Sequence, residues 1–371
     1  MIYFDYTSTT KPKKELLELH QKINSEYWCN TEAMYKEGSR SFSLMEKSAN
    51  VACEALGVKN KKVLFTSGAT EANNTAIYGT VSQYYKEPKH IITTYLEHAS
   101  VLNSFIDLEK RGFKVTYLKP NSEGIIDIKE LENAITSETV LVSVMWVNNI
   151  IGTIQPIKDV INIVKKHKRI KLHVDAVQGF GKIVPDFNFN DIDLITISGH
   201  KLNGLKGTGI LFYNSKMHLS FLQGGHQQNG IRPGTVDLAG CVVMAKTLQL
   251  ASKNIIDKYT DVLQKYNYLV DELSNTENII INKSKYSSPY ILSISFKNIK
   301  GETVLHMLEA FDIMVSTGSA CNSSSNEQEK TLVYTLSNPS LAVNTIRISI
   351  STDTTNEELD LLVKKIKEIG K

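Results

Sequence analysis

The sequence predicts an α/β protein: a seven-stranded, mostly parallel sheet between helices, with a smaller α+β domain after it. Two observations carry this. From about residue 42 to 250, short β-branched runs alternate with helical patterns, the alternation that builds a parallel sheet with helices on both faces. The runs are also apolar along much of their length, as strands covered on both sides are.

In chain order the strands are KVLFT (62–66), HIITT (90–94), KVTYL (114–118), TVLVSVMW (139–146), IKLHVD (170–175), DLITIS (193–198) and GILFY (209–213). Helical patterns such as ATEANNTAIYGTVSQYY, SVLNSFIDLEKRG and PIKDVINIVKKHK lie between them. A long helical stretch, about 239–275, leads into a different texture. There YILSISFK (290–297), FDIMVSTG (311–318) and NTIRISIS (344–351) read as strands separated by helices, and TNEELDLLVKKIKEIGK closes as an amphipathic helix. The expected division is a large domain over 16–256 and a small one made of 1–15 and 257–371.

Composition excludes several classes. The 371 residues are 42% hydrophobic and 22% charged with a net charge of +3, too small a charge to argue for nucleic acid. The start, MIYFDYTSTTKPKKE, lacks the pattern of a secretory signal, and the longest strongly apolar run, VLVSVMWV, is too short to span a bilayer. The four cysteines, at 29, 53, 241 and 321, are scattered without CxxC spacing. That excludes a disulfide scaffold and a local zinc site, and fits a reducing cytoplasm. Cys53 and Cys241 fall in helical or apolar patterns and read as core, while Cys29 is ambiguous. Cys321 differs: STGSACNSSS (316–325) surrounds it with small polar residues, the composition of an exposed loop on which a thiol is either an accident of drift or a reactive, working group.

Ligands of open parallel sheets gather at the carboxyl ends of strands, and three loops there carry chemistry. TSGATEANN (66–74) joins a strand to a helix start, which is either an ordinary N-cap or a phosphate cradle. HVDAVQG (173–179) delivers Asp175, suited to an N-cap, a metal or a cationic ring nitrogen. TISGHKLNGLKGTG (196–209) delivers Lys201, either a solvated turn residue or a Schiff-base lysine. Together, a phosphate cradle, an aspartate and a lysine 26 residues later are the parts that hold pyridoxal phosphate. His98, in YLEHASV (95–101), is either a core histidine or a group that stacks on the ring and moves protons near neutral pH.

The set YFDYTSTT, FTSGATEANN, EHASV, VNNIIG, HVDAVQ, SGHKLNGLKGTG, RPGT, GSAC and IRIS closely resembles the cysteine desulfurases of the nitrogen-fixation and iron–sulfur-cluster type, in the class V aminotransferase superfamily. The resemblance covers essentially the whole chain in order. It implies a fold-type I pyridoxal phosphate enzyme working as a homodimer. By position, Lys201 resembles the Schiff-base lysine, Asp175 the partner of the ring nitrogen, and His98 the stacking, proton-shuttling histidine. Thr70, Ser198 and His200 match phosphate contacts, with backbone help from Ala69. Asn149 and Gln178 match residues near the ring hydroxyl and the substrate, and Thr235 one that reaches the neighbouring subunit's phosphate. Arg347 resembles the guanidinium that grips the substrate carboxylate, and Cys321 the catalytic cysteine.

The implied activity is removal of sulfur from L-cysteine, giving L-alanine and a persulfide on Cys321. A sulfur-acceptor protein, a cluster scaffold or a tRNA-thiolation enzyme, would receive the sulfur. A selenocysteine lyase, another class V enzyme and a non-catalytic scaffold are the alternatives. Three segments depart from the family pattern. CNTEAMYKEG keeps Asn30, near the substrate in the family, but has Thr31 in place of a proline and Tyr35 about where a histidine is usual. Ile150 replaces a glutamate, and QGGHQQNGIRPGT is a residue longer and lacks its glutamate, with Gln227 nearby.

Overall fold

The computed structural model describes residues 1–87, 89–317, 330–336 and 338–371, so Cys321 lies outside the described residues. Thirteen strands are found among them: β1 (Ile2–Tyr3), β2 (Lys61–Thr66), β3 (His90–Thr94), β4 (Lys114–Leu118), β5 (Thr139–Met145), β6 (Lys171–Asp175), β7 (Leu194–Ser198), β8 (Gly209–Asn214), β9 (Ile279–Ile281), β10 (Ile291–Phe296), β11 (Ile313–Met314), β12 (Ser316–Thr317) and β13 (Thr345–Ser349).

All seven strands expected in the first part of the chain form one sheet, ordered β2-β8-β7-β6-β5-β3-β4, in which only β8 runs against the others. Strands β3, β5 and β7 are buried at every position, which accounts for their largely apolar or β-branched composition. The register places Met145 beside Asp175, Asp175 beside Thr196, and both Thr66 and Ser198 beside Gly209. The ends of the strands that feed the chemical loops therefore converge on one sheet edge.

A second sheet, β12-β13-β10-β9, is antiparallel. One apolar cluster joins the two parts, running from Phe4 through Trp146 and Ile195 to Phe296, Ile348 and Ile366. Each such fully buried side chain contributes about 1.5–3 kcal/mol.

Two expectations need correction. The stretch 239–275 is two helices, Leu238–Ala251 and Ile255–Leu273, with Asn254 at φ +53° between them. Asparagine tolerates this left-handed backbone, and a helix cannot continue through it. The strand expected at 311–318 is shared by two sheets: β11 pairs with β1, whereas β12 joins β13. The short strands β1 and β9 escaped the sequence pattern because two or three residues show no period.

Candidate active site

Asp175 ends β6 and is buried. Its Oδ1 accepts the Val177 backbone N–H at 3.0 Å, and its Oδ2 accepts Asn73 Nδ2 at 2.8 Å. Asn73 comes from the Ala69–Val81 helix that follows β2 and is fully buried. A carboxylate held at both oxygens has a fixed aim.

The Ala69–Val81 helix starts at the same edge. Gly209 is what lets it come so close, since a Cβ there would stand 2.5 Å from Gly68 Cα. Ser198 Oγ, at the end of β7, is buried without a hydrogen-bond partner. A buried hydroxyl of this kind calls for an absent acceptor or donor. Beside a helix N-terminus, a phosphate meets that requirement.

His98 caps the Ala99–Lys110 helix, its Nδ1 accepting the Ser100 backbone N–H at 3.1 Å. This leaves the proton of the neutral ring on Nε2. Burial lowers the His98 pKa despite the nearby charge of Asp175, so the ring is mostly neutral at physiological pH. Burial, with help from Lys201, Lys206 and Lys182, also brings His200 down to about 4.

Lys201 Nζ donates to the Thr7 carbonyl at 2.7 Å and the Ser8 carbonyl at 2.5 Å. The segment after β1 thus crosses to the large sheet's edge and anchors the lysine. From the small sheet, β13 contributes Arg347, which is 4% exposed. Its Nη1 donates to the Asn149 carbonyl at 2.9 Å, and its Nη2 donates to Asp5 Oδ1 and Ser8 Oγ, each at 2.8 Å. Its Nε is buried and unpartnered.

These groups surround a cavity of about 750 Å³, ample for a cofactor with a small substrate. Ala69, Thr70, His98, Asn149, Asp175, Gln178, Ser198, His200, Lys201 and Arg347 all line it. The anchored carboxylate, the lysine and the orphaned Ser198 hydroxyl fit pyridoxal phosphate. Two expected residues stand elsewhere: Asn30 and Thr235 are exposed and do not line the cavity of a single chain.

Sequence reasoning gave no role to Asp5, Thr7, Ser8, Asn73 or Glu97. Asn73 carried a signal, because an asparagine on the apolar face of a helix is unfavourable without a partner. Glu97 also lines the cavity. Its Oε1 accepts the Met145 N–H at 2.8 Å, its Oε2 is buried without a partner, and burial raises its pKa to about 8. Ile150 lines the wall and packs with Ile151, Leu332 and Ala342. Cys241 is buried, which pushes its thiol far up, and Cys53 is half-buried and also raised. No helix among the described residues is long and apolar enough to cross a membrane.

The comparisons with known proteins agree with this geometry. The chain is 38% identical to the NifS/IcsS protein homolog of Lactobacillus delbrueckii subsp. bulgaricus, over 100% of this chain and 97% of that one. It is 36% identical to the cysteine desulfurase IscS of Buchnera aphidicola, over 98% of this chain and 91% of that one. Among solved structures, a NifS-like protein matches with a TM-score of 0.89 at 34% identity, covering 99% of this chain and 98% of that one. A structure described as SspA in complex with cysteine matches at 0.82 with 30% identity, over 96% of this chain and all of that one. The aminotransferase class-V family model matches residues 2–362, and the chain belongs to that family.

Proposed function

We propose that the protein is a cysteine desulfurase that uses pyridoxal phosphate to take sulfur from L-cysteine and pass it on as a persulfide of Cys321. The observation that carries this is the convergence of Lys201, the doubly anchored Asp175, His98 and the unpartnered Ser198 hydroxyl on one cavity with Arg347. Full-length similarity to proteins named cysteine desulfurase supports it.

Bound pyridoxal phosphate supplies a ring that withdraws electrons and stores the charge left when a proton is removed. Asp175 would pair with its ring nitrogen. Thr70, Ser198, His200 and the N–H groups at Ala69 would hold its phosphate, with Gln178 and Asn149 near its hydroxyl. Lys201 would carry the cofactor and, once displaced by substrate, take the α-proton on Nζ. The Arg347 guanidinium, fixed by Asp5 and Ser8, would grip the substrate carboxylate. His98 would take a thiol proton at Nε2 once its ring proton sits on Nδ1, 2.9 Å from the Ser100 Oγ that can accept it. The Cys321 thiolate would then bond to the substrate sulfur as the carbon–sulfur bond breaks. In sum, L-cysteine and one thiol become L-alanine and one persulfide.

A homodimer is part of this proposal. Trp28, Met34 and Tyr35 are exposed around Asn30, and the Gln227 side chain donates to Glu32, tying this segment to the turn that bears Thr235. A second copy covering that face would bring Thr235 towards its neighbour's phosphate. We also propose the division 16–256 against 1–15 with 257–371, supported by the second sheet's origin in residues 279–349 and by the pairing of β1 with β11. The sulfur acceptor is a cluster scaffold or tRNA-thiolation protein, and the setting cytoplasmic. A yellow preparation that borohydride bleaches, with the colour lost in Lys201→Ala, tests the cofactor assignment. A colourless protein that takes up no pyridoxal phosphate would refute it.

A further inference from the structure

The turn after Asp175 also carries Lys182, which the proposed mechanism does not use. Its Nζ donates to Gln178 Oε1 at 3.1 Å, and Gln178 Nε2 donates to the Thr7 carbonyl at 3.1 Å. The same carbonyl accepts Lys201 Nζ at 2.7 Å. An ammonium only donates and a carbonyl only accepts, so the two together fix which end of the Gln178 amide faces which neighbour. Lys182 Nζ also stands 5.9 Å from the Tyr290 ring centroid, within cation–π range.

Charge is crowded at this point. Lys182 and Lys201 share a small cavity of about 110 Å³ with Lys13, Lys258, Tyr290 and Asp353. The charge of Arg347, on β13, also acts on Lys182. Burial first, then the charges of Lys201 and Arg347, bring the Lys182 ammonium down to about 7. Asp353 is the one carboxylate among the described residues lining that cavity, set against four lysines.

We propose that Lys182 is a positioning residue for Lys201. It locks the Gln178 amide against the Thr7 anchor and, in its protonated form, disfavours a second positive charge on the Lys201 nitrogen. A neighbouring cation is a known way to make a lysine nitrogen reactive at neutral pH. This inference rests on Lys201 carrying pyridoxal phosphate.

The test uses the full chain loaded with pyridoxal phosphate and titrates its long-wavelength absorbance against pH without substrate. Lys182→Met should raise the midpoint by about one pH unit, a tenfold change in proton affinity. Lys182→Arg, which stays charged throughout the titration, should leave it at or below the parent's value. Lys182→Gln, which keeps a donor for Gln178 and loses the charge, should raise it as Lys182→Met does, and serves where the methionine variant does not fold. A normal band whose midpoint stays put in the neutral variants overturns the role of Lys182 alone. A parent protein with no band overturns the assignment of Lys201 as well.

Discussion

Asn73 Nδ2 lies 2.8 Å from Asp175 Oδ2 and 2.9 Å from Ser100 Oγ, so one buried amide ties the proposed ring-nitrogen partner to the helix that begins at His98. A hydrogen bond to a charged group contributes about 1.5–3 kcal/mol. Asn73→Leu should weaken pyridoxal phosphate binding roughly tenfold or more by that measure. Fluorescence titration of the apoprotein checks it, and unchanged affinity would remove Asn73 from the site.

Asp5 and Arg347 form a nearly buried pair, with side chains 20% and 5% exposed. Removing one partner of such a pair costs about 3–5 kcal/mol. Asp5→Ala should lower the urea midpoint accordingly, and it should raise KM for L-cysteine more than it lowers kcat, because the guanidinium loses its aim. Arg347→Lys should raise KM about tenfold or more, since a point charge replaces a fork. Equal KM values in parent and variants would contradict a carboxylate site at Arg347.

Glu97 gives a pH signature. Burial, with a contribution from the charge of Asp175, raises its pKa from 4.5 unfolded to about 8 folded. A raised acid contributes stability that is full below pH 4.5 and is lost as pH rises towards 8. Glu97→Gln does not titrate, so its stability relative to the parent should improve between pH 5 and 8 by on the order of 3 kcal/mol. His173 acts on the acid side. Burial lowers its pKa to about 3, so stability falls as pH drops from 6.5 towards 3. Urea unfolding at several pH values measures both. A parent–variant difference independent of pH would mean Glu97 is ionised in the fold.

The sheet and most of the cavity lining were legible in the sequence because each depends on local pattern. Asp175, Ser198 and Lys201 stand at or just after the ends of strands that are largely apolar or β-branched, so their shared edge followed from the sheet class. The contacts that aim them were not legible. Asp5 meets Arg347 across 342 positions and Asn73 meets Asp175 across 102, and no periodicity links such residues. Lys182 carried no signal in the sequence, because only the fold brings the charges of Lys201 and Arg347 to bear on it.

Leu332 is fully buried against Ile150, Ile151 and Ala342, in the Lys330–Thr335 helix that follows residues 318–329. Leu332→Ala should cost about 2–5 kcal/mol if the helix is cooperative with the fold. This helix starts nine residues after Cys321 in the chain, and persulfide yield per turnover should fall more than cofactor binding does. Mass spectrometry of the protein after one turnover, set against absorbance, measures the split.

The most direct test of the desulfurase assignment is Cys321→Ser, loaded with pyridoxal phosphate and given L-cysteine in multiple turnover, with alanine and protein-bound sulfur counted together. The expected result is an unchanged cofactor spectrum, no protein persulfide and alanine production reduced roughly a hundredfold, as loss of a nucleophile implies. Alanine and sulfide released at the parent's rate would contradict it.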